Sequence, residues 1–378
     1  MENYDKVIMT NHDHLLSRRN FLQTAGAIAA GTTIVGETTA EESAAVKPKI
    51  KIGQIGTAHM HAYKFGTLRK LPDLFEVVGF TGDDPNDNKQ GNVGGIYKDL
   101  RKMTWDELLA VPGLQAVGIE TEEHGVLRAA LRAVQAGKHI HLDKPAGESL
   151  PEFKQILDLA KEKNLVVQMG YMYRNNPAIQ FCLKAVNDGL IGDIYDIDAA
   201  MCRFDAGKAR DVFKPFKGGS PFIFACHLID IVVSLLGKPE KIHPFNRRTK
   251  DDGIIDNSLT VFEYPKNKIA TVRTSINEVE GFQHRYLTVR GSKGVITVRP
   301  LEIGGNLSGG KLLLSLLADS GKFKKGEHII PLPAGKDRYE AQWIEFAKTI
   351  DGEMVNPYTY EHDYIVQEAL LEACEMNK

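Results

Sequence analysis

The run Ile50-Lys51-Ile52-Gly53-Gln54-Ile55-Gly56 decides the fold, because it is a short apolar, β-rich run that stops on a glycine. A buried strand followed at once by a tight turn is how a β-α unit opens. Downstream, Glu76-Val77-Val78-Gly79-Phe80 and Ala116-Val117-Gly118-Ile119 read as further strands. Val126, Leu127, Ala130, Leu131 and Val134 then form an apolar stripe at helical spacing that ends at Gly137. Ile140-His141-Leu142, a helix over 151–164 and Val166-Val167-Gln168-Met169 complete the series. Strands alternating with helices predict an α/β fold: a doubly wound parallel sheet of the Rossmann kind over residues 50–170, with helices on both faces.

Beyond Gly170 the pattern changes. Strand-like runs at 259–264, 270–276, 286–290 and 295–298 are joined by turn sequences such as Pro265-Lys266-Asn267-Lys268 and Gly291-Ser292-Lys293-Gly294. Residues 171–335 are therefore expected to form an α+β domain with a large, mainly antiparallel open sheet, suited to cover a ligand cleft and to pair with another subunit. Helices over 339–350 and 364–376, within a closing segment 336–378, are expected to pack back on the body.

The 378 residues, 43% hydrophobic and 25% charged, are enough for two ordinary domains with a substantial core. A net charge of -2 gives no basic excess, so nucleic acid is not expected as a partner. The four cysteines, Cys182, Cys202, Cys226 and Cys374, form no C-x-x-C pair, which argues against a zinc ribbon or a dithiol motif and for buried free thiols. Near the N-terminus, Ser17-Arg18-Arg19-Asn20-Phe21-Leu22-Gln23 precedes a small, weakly apolar run over 24–36. Twin-arginine export signals have this form. The run is shorter than the roughly 20 apolar residues of a membrane span, so no stable anchor is expected. Cleavage after Ala40 would leave 1–40 as a signal peptide and 41–49 as a linker, placing the mature protein in the periplasm or otherwise outside the cytoplasm, delivered by the twin-arginine machinery. In an oxidising compartment one disulfide among the four cysteines is compatible with the sequence.

Four segments carry candidate chemistry. Gly56-Thr57-Ala58-His59-Met60-His61 stands where a dinucleotide site sets its glycine turn, but the second and third glycines of G-x-G-x-x-G are absent. Asp83, in Gly82-Asp83-Asp84, lies at the distance expected of an acid that holds an adenosine ribose and would favour NAD over NADP; an Asp-Pro turn before Pro85 explains the same residues. Asp143-Lys144-Pro145 follows a strand at the sheet edge where open parallel sheets bind ligands, and a lysine there can hydrogen-bond a substrate hydroxyl. His227 and Asp230 are three apart on an apolar helix, so the carboxylate is placed to orient a general-base histidine.

Together with Gly170-Tyr171-Met172-Tyr173-Arg174-Asn175-Asn176-Pro177, these blocks resemble the glucose-fructose oxidoreductase, inositol dehydrogenase and MocA (Gfo/Idh/MocA) family over nearly the whole mature chain. The resemblance implies an enzyme: an NAD(P)-dependent oxidoreductase acting on a CH-OH group of a sugar, polyol or glycoside, with NAD or NADP tightly bound and recycled in place, and a homo-oligomer. It implies that Lys144 sits by the reactive edge of the nicotinamide and contacts substrate, and that His227 is the acid/base. Gly56, Thr57, Ala58, His59, Met60, Asp83, Glu120, Thr121, His124 and Asp143 would lie along the cofactor, and Tyr173 and Arg174 would face the substrate. Pro145 is expected to follow a cis peptide. Asp143 replaces the family's glutamate, and Ile223 stands where many members carry an aspartate four residues before the histidine.

Three other readings follow from the same residues. A glycoside hydrolase that oxidises transiently, eliminates and re-reduces would release aglycone with no net change in the cofactor. A catalytically silent sugar-binding protein is compatible with Ile223. A metal-dependent hydrolase would use His59, His61, His124 and His227, although the regular eightfold β-α pattern of a barrel is absent and no metal ligand set is expected.

Overall fold

The computed structural model describes residues 47–87, 95–303, 307, 310–333 and 337–376. The twin-arginine segment, the expected cleavage point and most of the linker lie outside them. Residues 50–378 form one compact unit.

The first sheet holds six parallel strands: β1 (Ile50–Ile55), β2 (Phe75–Thr81), β3 (Lys102–Met103), β4 (Ala116–Ile119), β5 (His139–Leu142) and β6 (Val167–Met169). Their order, β3-β2-β1-β4-β5-β6, is that of a Rossmann sheet. The order in which the strands are laid down reverses between β1 and β4, and outside the carboxyl ends of strands at such a switch point open parallel sheets form their ligand crevice. Strands buried on both faces read as continuous apolar runs, which is why β4 is fully buried along its length. The linking helices include α1 (Phe65–Leu68), α2 (Trp105–Leu109), α3 (Val126–Gln135) and α4 (Leu150–Glu162). A capping box starts α2, where Thr104 Oγ1 accepts from the Glu107 amide and the Thr104 amide donates to Glu107 Oε2.

The second sheet has eight strands, and β7 (Ile194–Cys202) lies inside it between β10 (Lys268–Ser275) and β11 (Tyr286–Gly291). β8 (Lys241–Arg247) and β9 (Asn257–Tyr264) extend one side, while β12 (Gly294–Val298), β13 (Leu312–Leu316) and β14 (Gly326–Ile330) extend the other. All neighbours are antiparallel except β7 and β10. This is the α+β architecture read from the sequence, but with twice the four strands that the pattern exposed. Asp196 and Asp198 interrupt the apolar run of β7, and the fold answers each across the sheet. Arg290 pairs with Asp196, while Thr271 and the Tyr286 hydroxyl donate to Asp198.

α5 (Pro177–Asn187) begins at Asn176, whose side-chain oxygen accepts from the Ala178 and Ile179 amides. The long apolar α6 (Gly219–Leu236) is buried along most of its length and carries His227 and Asp230. By length and composition it could cross a membrane, and its burial within the fold marks it as a core helix. The chain closes with α7 (Glu340–Ile350), whose Trp343 and Phe346 join the cluster around Ile50, Ile52 and Phe75, and α8 (Tyr360–Ala373), which packs on α6 and α4. All four cysteines are buried free thiols.

Gly56 ends β1 with φ at +88°, and a Cβ there would stand 2.5 Å from the Thr121 amide nitrogen and 2.6 Å from its Cα. Strain and backbone overlap together should make Gly56→Ala about 2 kcal/mol or more less stable. Urea denaturation checks this; a variant within about 0.5 kcal/mol of the parent would show that the turn has room the structure does not reveal.

Candidate functional site

The turn after β1 carries two histidines where a dinucleotide motif has small residues, and both point toward the ends of β4 and β5. His59 is buried, with Nδ1 2.8 Å from Asp143 Oδ2 and Nε2 3.2 Å from Glu123 Oε1, and with Glu120 3.6 Å away. Burial alone would lower its pKa, but these carboxylates, Asp143 foremost, hold it up to about 11, so the ring is an imidazolium. Lys64, fully buried just before α1, places its ammonium 2.7 Å from Asp143 Oδ1 and 2.8 Å from Glu120 Oε1. Burial works against that charge, and the two carboxylates more than offset it, raising the lysine above its ordinary value. For Asp143 likewise, burial favours the acid while Lys64 and His59 hold the carboxyl well below the usual carboxylate range. A second layer fixes this centre: His141 Nε2 lies 3.3 Å from Lys64 Nζ, and its Nδ1 lies 2.8 Å from Gln168 Oε1. The side chains of Glu120 and Asp143, expected along the cofactor, thus form the ionic core beneath the crevice and are absent from the cavity wall.

Asp83, the expected ribose ligand, reaches back to the turn. Its Oδ1 accepts from the Thr57 amide at 2.8 Å and the Ala58 amide at 3.1 Å, and its Oδ2 accepts from the Glu122 amide at 2.8 Å. Three backbone donors from the two sides of the crevice therefore converge on one anion. A carboxylate has about four acceptor positions, so one on Asp83 is left for a hydroxyl. Thr121 Oγ1, one residue before Glu122, is buried without a hydrogen-bond partner. These features fit an adenosine ribose at Asp83, with the Gly56 turn and the Glu120–Glu122 backbone along the dinucleotide.

Above the crevice is a cavity of about 430 Å³ that includes Ala58, His59, Met60, His124, Lys144 and His227 in its wall. Lys144 sits at the carboxyl end of β5, is 3% exposed and, among the described residues, makes no ion pair or hydrogen bond. The Lys144–Pro145 peptide is cis. His124 stacks on Phe216 with ring centroids 5.5 Å apart. His227 on α6 is 2% exposed and lies against the Tyr171 and Tyr173 rings. Burial first, and the Lys144 charge second, hold its pKa well below 6.5, so at neutral pH it is an uncharged imidazole.

Three expected roles need correction. Asp230 does not orient His227, whose Nδ1 has no hydrogen-bond partner; its carboxylate accepts from Arg174 at 2.6 Å and faces His362 Nε2 at 2.9 Å. Arg174 does not face substrate, because it is 4% exposed and bridges Asp230 and Asp363 beneath the Tyr358 ring. Tyr173 is fully buried with its hydroxyl on Glu302 at 3.2 Å, so it acts behind His227 rather than in the wall. Sequence spacing alone put Asp230 on the His227 face; the residues that claim it come from distant segments.

The sequence reading also missed Lys64 and six charged wall residues, Glu122, Glu123, Arg203, Arg285, Glu302 and Arg338. A lysine between Tyr63 and Phe65 was the only local signal for the first, and the others come from several loops. One ligand atom each from His59, His61 and Asp143 lie within 4.8 Å of one another, a donor set that suits a divalent cation. Lys64 beside Asp143 and carboxylates on both nitrogens of His59 make it a hydrogen-bonded imidazolium centre instead. In the similar group Asp230, His362 and Asp363, Arg174 already supplies the positive charge.

Comparison with known proteins agrees with this architecture. Residues 50–171 match the oxidoreductase family with an NAD-binding Rossmann fold, and residues 179–297 match the GFO/IDH/MocA C-terminal domain. An uncharacterized oxidoreductase of Schizosaccharomyces pombe is 27% identical over 200 residues, 51% of this chain and 53% of that protein. The scyllo-inositol 2-dehydrogenase (NAD(+)) of Bacillus subtilis is 28% identical over 228 residues, 57% of this chain and 65% of that protein. The match thus spans about half to two thirds of these relatives. The solved structure of a UDP-N-acetylglucosamine 3-dehydrogenase from Acidithiobacillus ferrooxidans superposes with a TM-score of 0.70 at 19% identity, covering 87% of this chain and 98% of that one, which shows the shared fold. With both halves matched in order on a Rossmann sheet followed by an open antiparallel one, the chain belongs to the Gfo/Idh/MocA family of oxidoreductases.

Proposed function

We propose that this chain is an NAD-dependent oxidoreductase acting on a CH-OH group of a sugar, polyol or glycoside, exported by the twin-arginine route with its nucleotide held tightly and recycled in place. The observation that carries the reading is the shared cavity of Lys144 and His227, a buried cation and a buried neutral base with no acid between them. A nicotinamide dinucleotide held along the Gly56 turn and Asp83 would supply the hydride chemistry, accepting a hydride from the substrate carbon and passing it to a second substrate. Lys144 Nζ donates to the reacting oxygen and stabilises the negative charge that grows on it as its proton departs. An imidazole nitrogen of His227 takes that proton. In the reverse direction the imidazolium returns the proton to the carbonyl oxygen. Asp83, with its remaining acceptor position, holds a ribose hydroxyl, and its negative charge would repel a 2'-phosphate, which supports NAD over NADP.

Ile223 lines the same cavity at the position where many relatives carry aspartate. Without that carboxylate the pull of the Asp143 charge toward the imidazolium is outweighed by burial and by the Lys144 charge. Its proton is therefore held weakly and can pass on to solvent or to product.

Lys144→Ala and His227→Asn are each expected to lower kcat by about 10²- to 10⁴-fold on a sugar the parent turns over. Because the histidine is depressed, its neutral form persists as the pH falls past 6.5, so the acid limb of kcat/KM should lie below the ordinary histidine range. An inflection at 6.5 or above in the parent, or turnover in His227→Asn equal to the parent's, would remove His227 from the proton path. Mass spectrometry of nucleotide released from protein taken from the extracytoplasmic fraction is expected to find about one NAD per chain; changing Arg18 and Arg19 to lysine should leave the protein inside. Recovery of empty protein, or export indifferent to the two arginines, contradicts the retained-cofactor reading.

A further inference from the structure

The cavity wall is unevenly charged. Its acidic residues Glu122 and Glu123 come from the Rossmann half, whereas the second domain contributes Arg203, Arg285 and the carboxylate Glu302, and the closing segment adds Arg338. Glu302 is 2% exposed and gathers two of the guanidiniums, accepting from Arg285 Nη1 and, at 3.4 Å, from Arg338 Nη2, while Tyr173 donates from behind. Arg285 also donates Nε to the Cys202 carbonyl at 3.1 Å, which fixes its plane. Arg203 is tied to Asp205 at 2.5 Å. Each guanidinium offers five donors, and these bonds use only a few of them. Arg338 Nε is buried with no hydrogen-bond partner at all.

Between the cations the wall is apolar, with Phe213, Phe224, Phe282 and Ile223 among its members. Such surfaces suit the C-H faces of a sugar ring but provide no counter-charge. Three arginines against two carboxylates, Glu302 and Asp205, leave a positive excess in the wall that a neutral polyol would not satisfy. A planar guanidinium fork matches the two oxygens of a carboxylate or phosphate.

We propose that Arg203, Arg285 and Arg338 form an anion subsite, so that the substrate is a sugar bearing a carboxylate or phosphate group. This rests on the reading that the same cavity receives the substrate hydroxyl at Lys144 and His227. The anionic substituent would be gripped by the three arginines while the reacting carbon is presented to Lys144 and His227. The substituent also fixes which hydroxyl reaches Lys144, since the ring is anchored at one end.

Isothermal titration of the purified holoprotein tests this with hexuronates, hexose phosphates and their parent neutral hexoses. At least one anionic sugar is expected to bind tenfold or more tightly than its neutral parent, and the class that does so separates carboxylate from phosphate. Arg203→Gln and Arg338→Gln should each erase most of that preference, Arg338→Lys should recover part of it, and added salt should shrink it. Equal binding of neutral and anionic sugars, no binding by any anionic sugar, or a preference untouched in both Gln variants overturns the subsite. Failure of the oxidoreductase reading looks different: the charge preference persists while Lys144→Ala changes nothing.

Discussion

The ammonium of Lys64, sealed between Asp143 and Glu120, is the contact on which the site depends. It joins the segment after β1 to the carboxyl ends of β4 and β5, the strand ends that must stay in register for anything above them to act together. A buried ion pair is weak evidence for net stability, since removing its charges from water costs about as much as their attraction returns. What it supplies here is placement. Asp143 is held on both oxygens, by Lys64 on one and by the two histidines on the other, and Lys144 is the next residue along the chain.

This arrangement explains how a degenerate glycine turn can serve the family's fold. Gly56 is kept because its φ and the Thr121 backbone leave no room for a side chain. The later glycine positions carry Ala58 and His61, and the rings of His59 and His61 turn inward to the carboxylates. Asp83 then collects the turn amides and the Glu122 amide, so the two lips of the crevice share one acceptor. The second domain contributes the neutral His227 and most of the arginine-rich wall; on the proposed function, the Rossmann half holds the nucleotide and this wall the substrate.

Much of this was legible in the sequence. The parallel sheet announced itself because strands buried on both faces are continuous apolar runs, and Lys144 and His227 could be chosen because a strand end and an apolar helix fix where they point. β7 was hidden by Asp196 and Asp198, whose partners lie on neighbouring strands. Asp230 was given to His227 by its i, i+3 spacing, yet Arg174 and His362 reach it from remote segments. Glu302, Arg203, Arg285 and Arg338 share no local pattern, and only the folded chain brings them to one wall.

The most direct test of this account is the urea denaturation of Lys64→Met, a change that keeps the side chain's length and removes its charge. Two buried carboxylates would lose their shared cation, and a loss of about 3–5 kcal/mol is expected. A variant as stable as the parent would contradict it, because Asp143 and the strand ends would then be held in place by something other than Lys64.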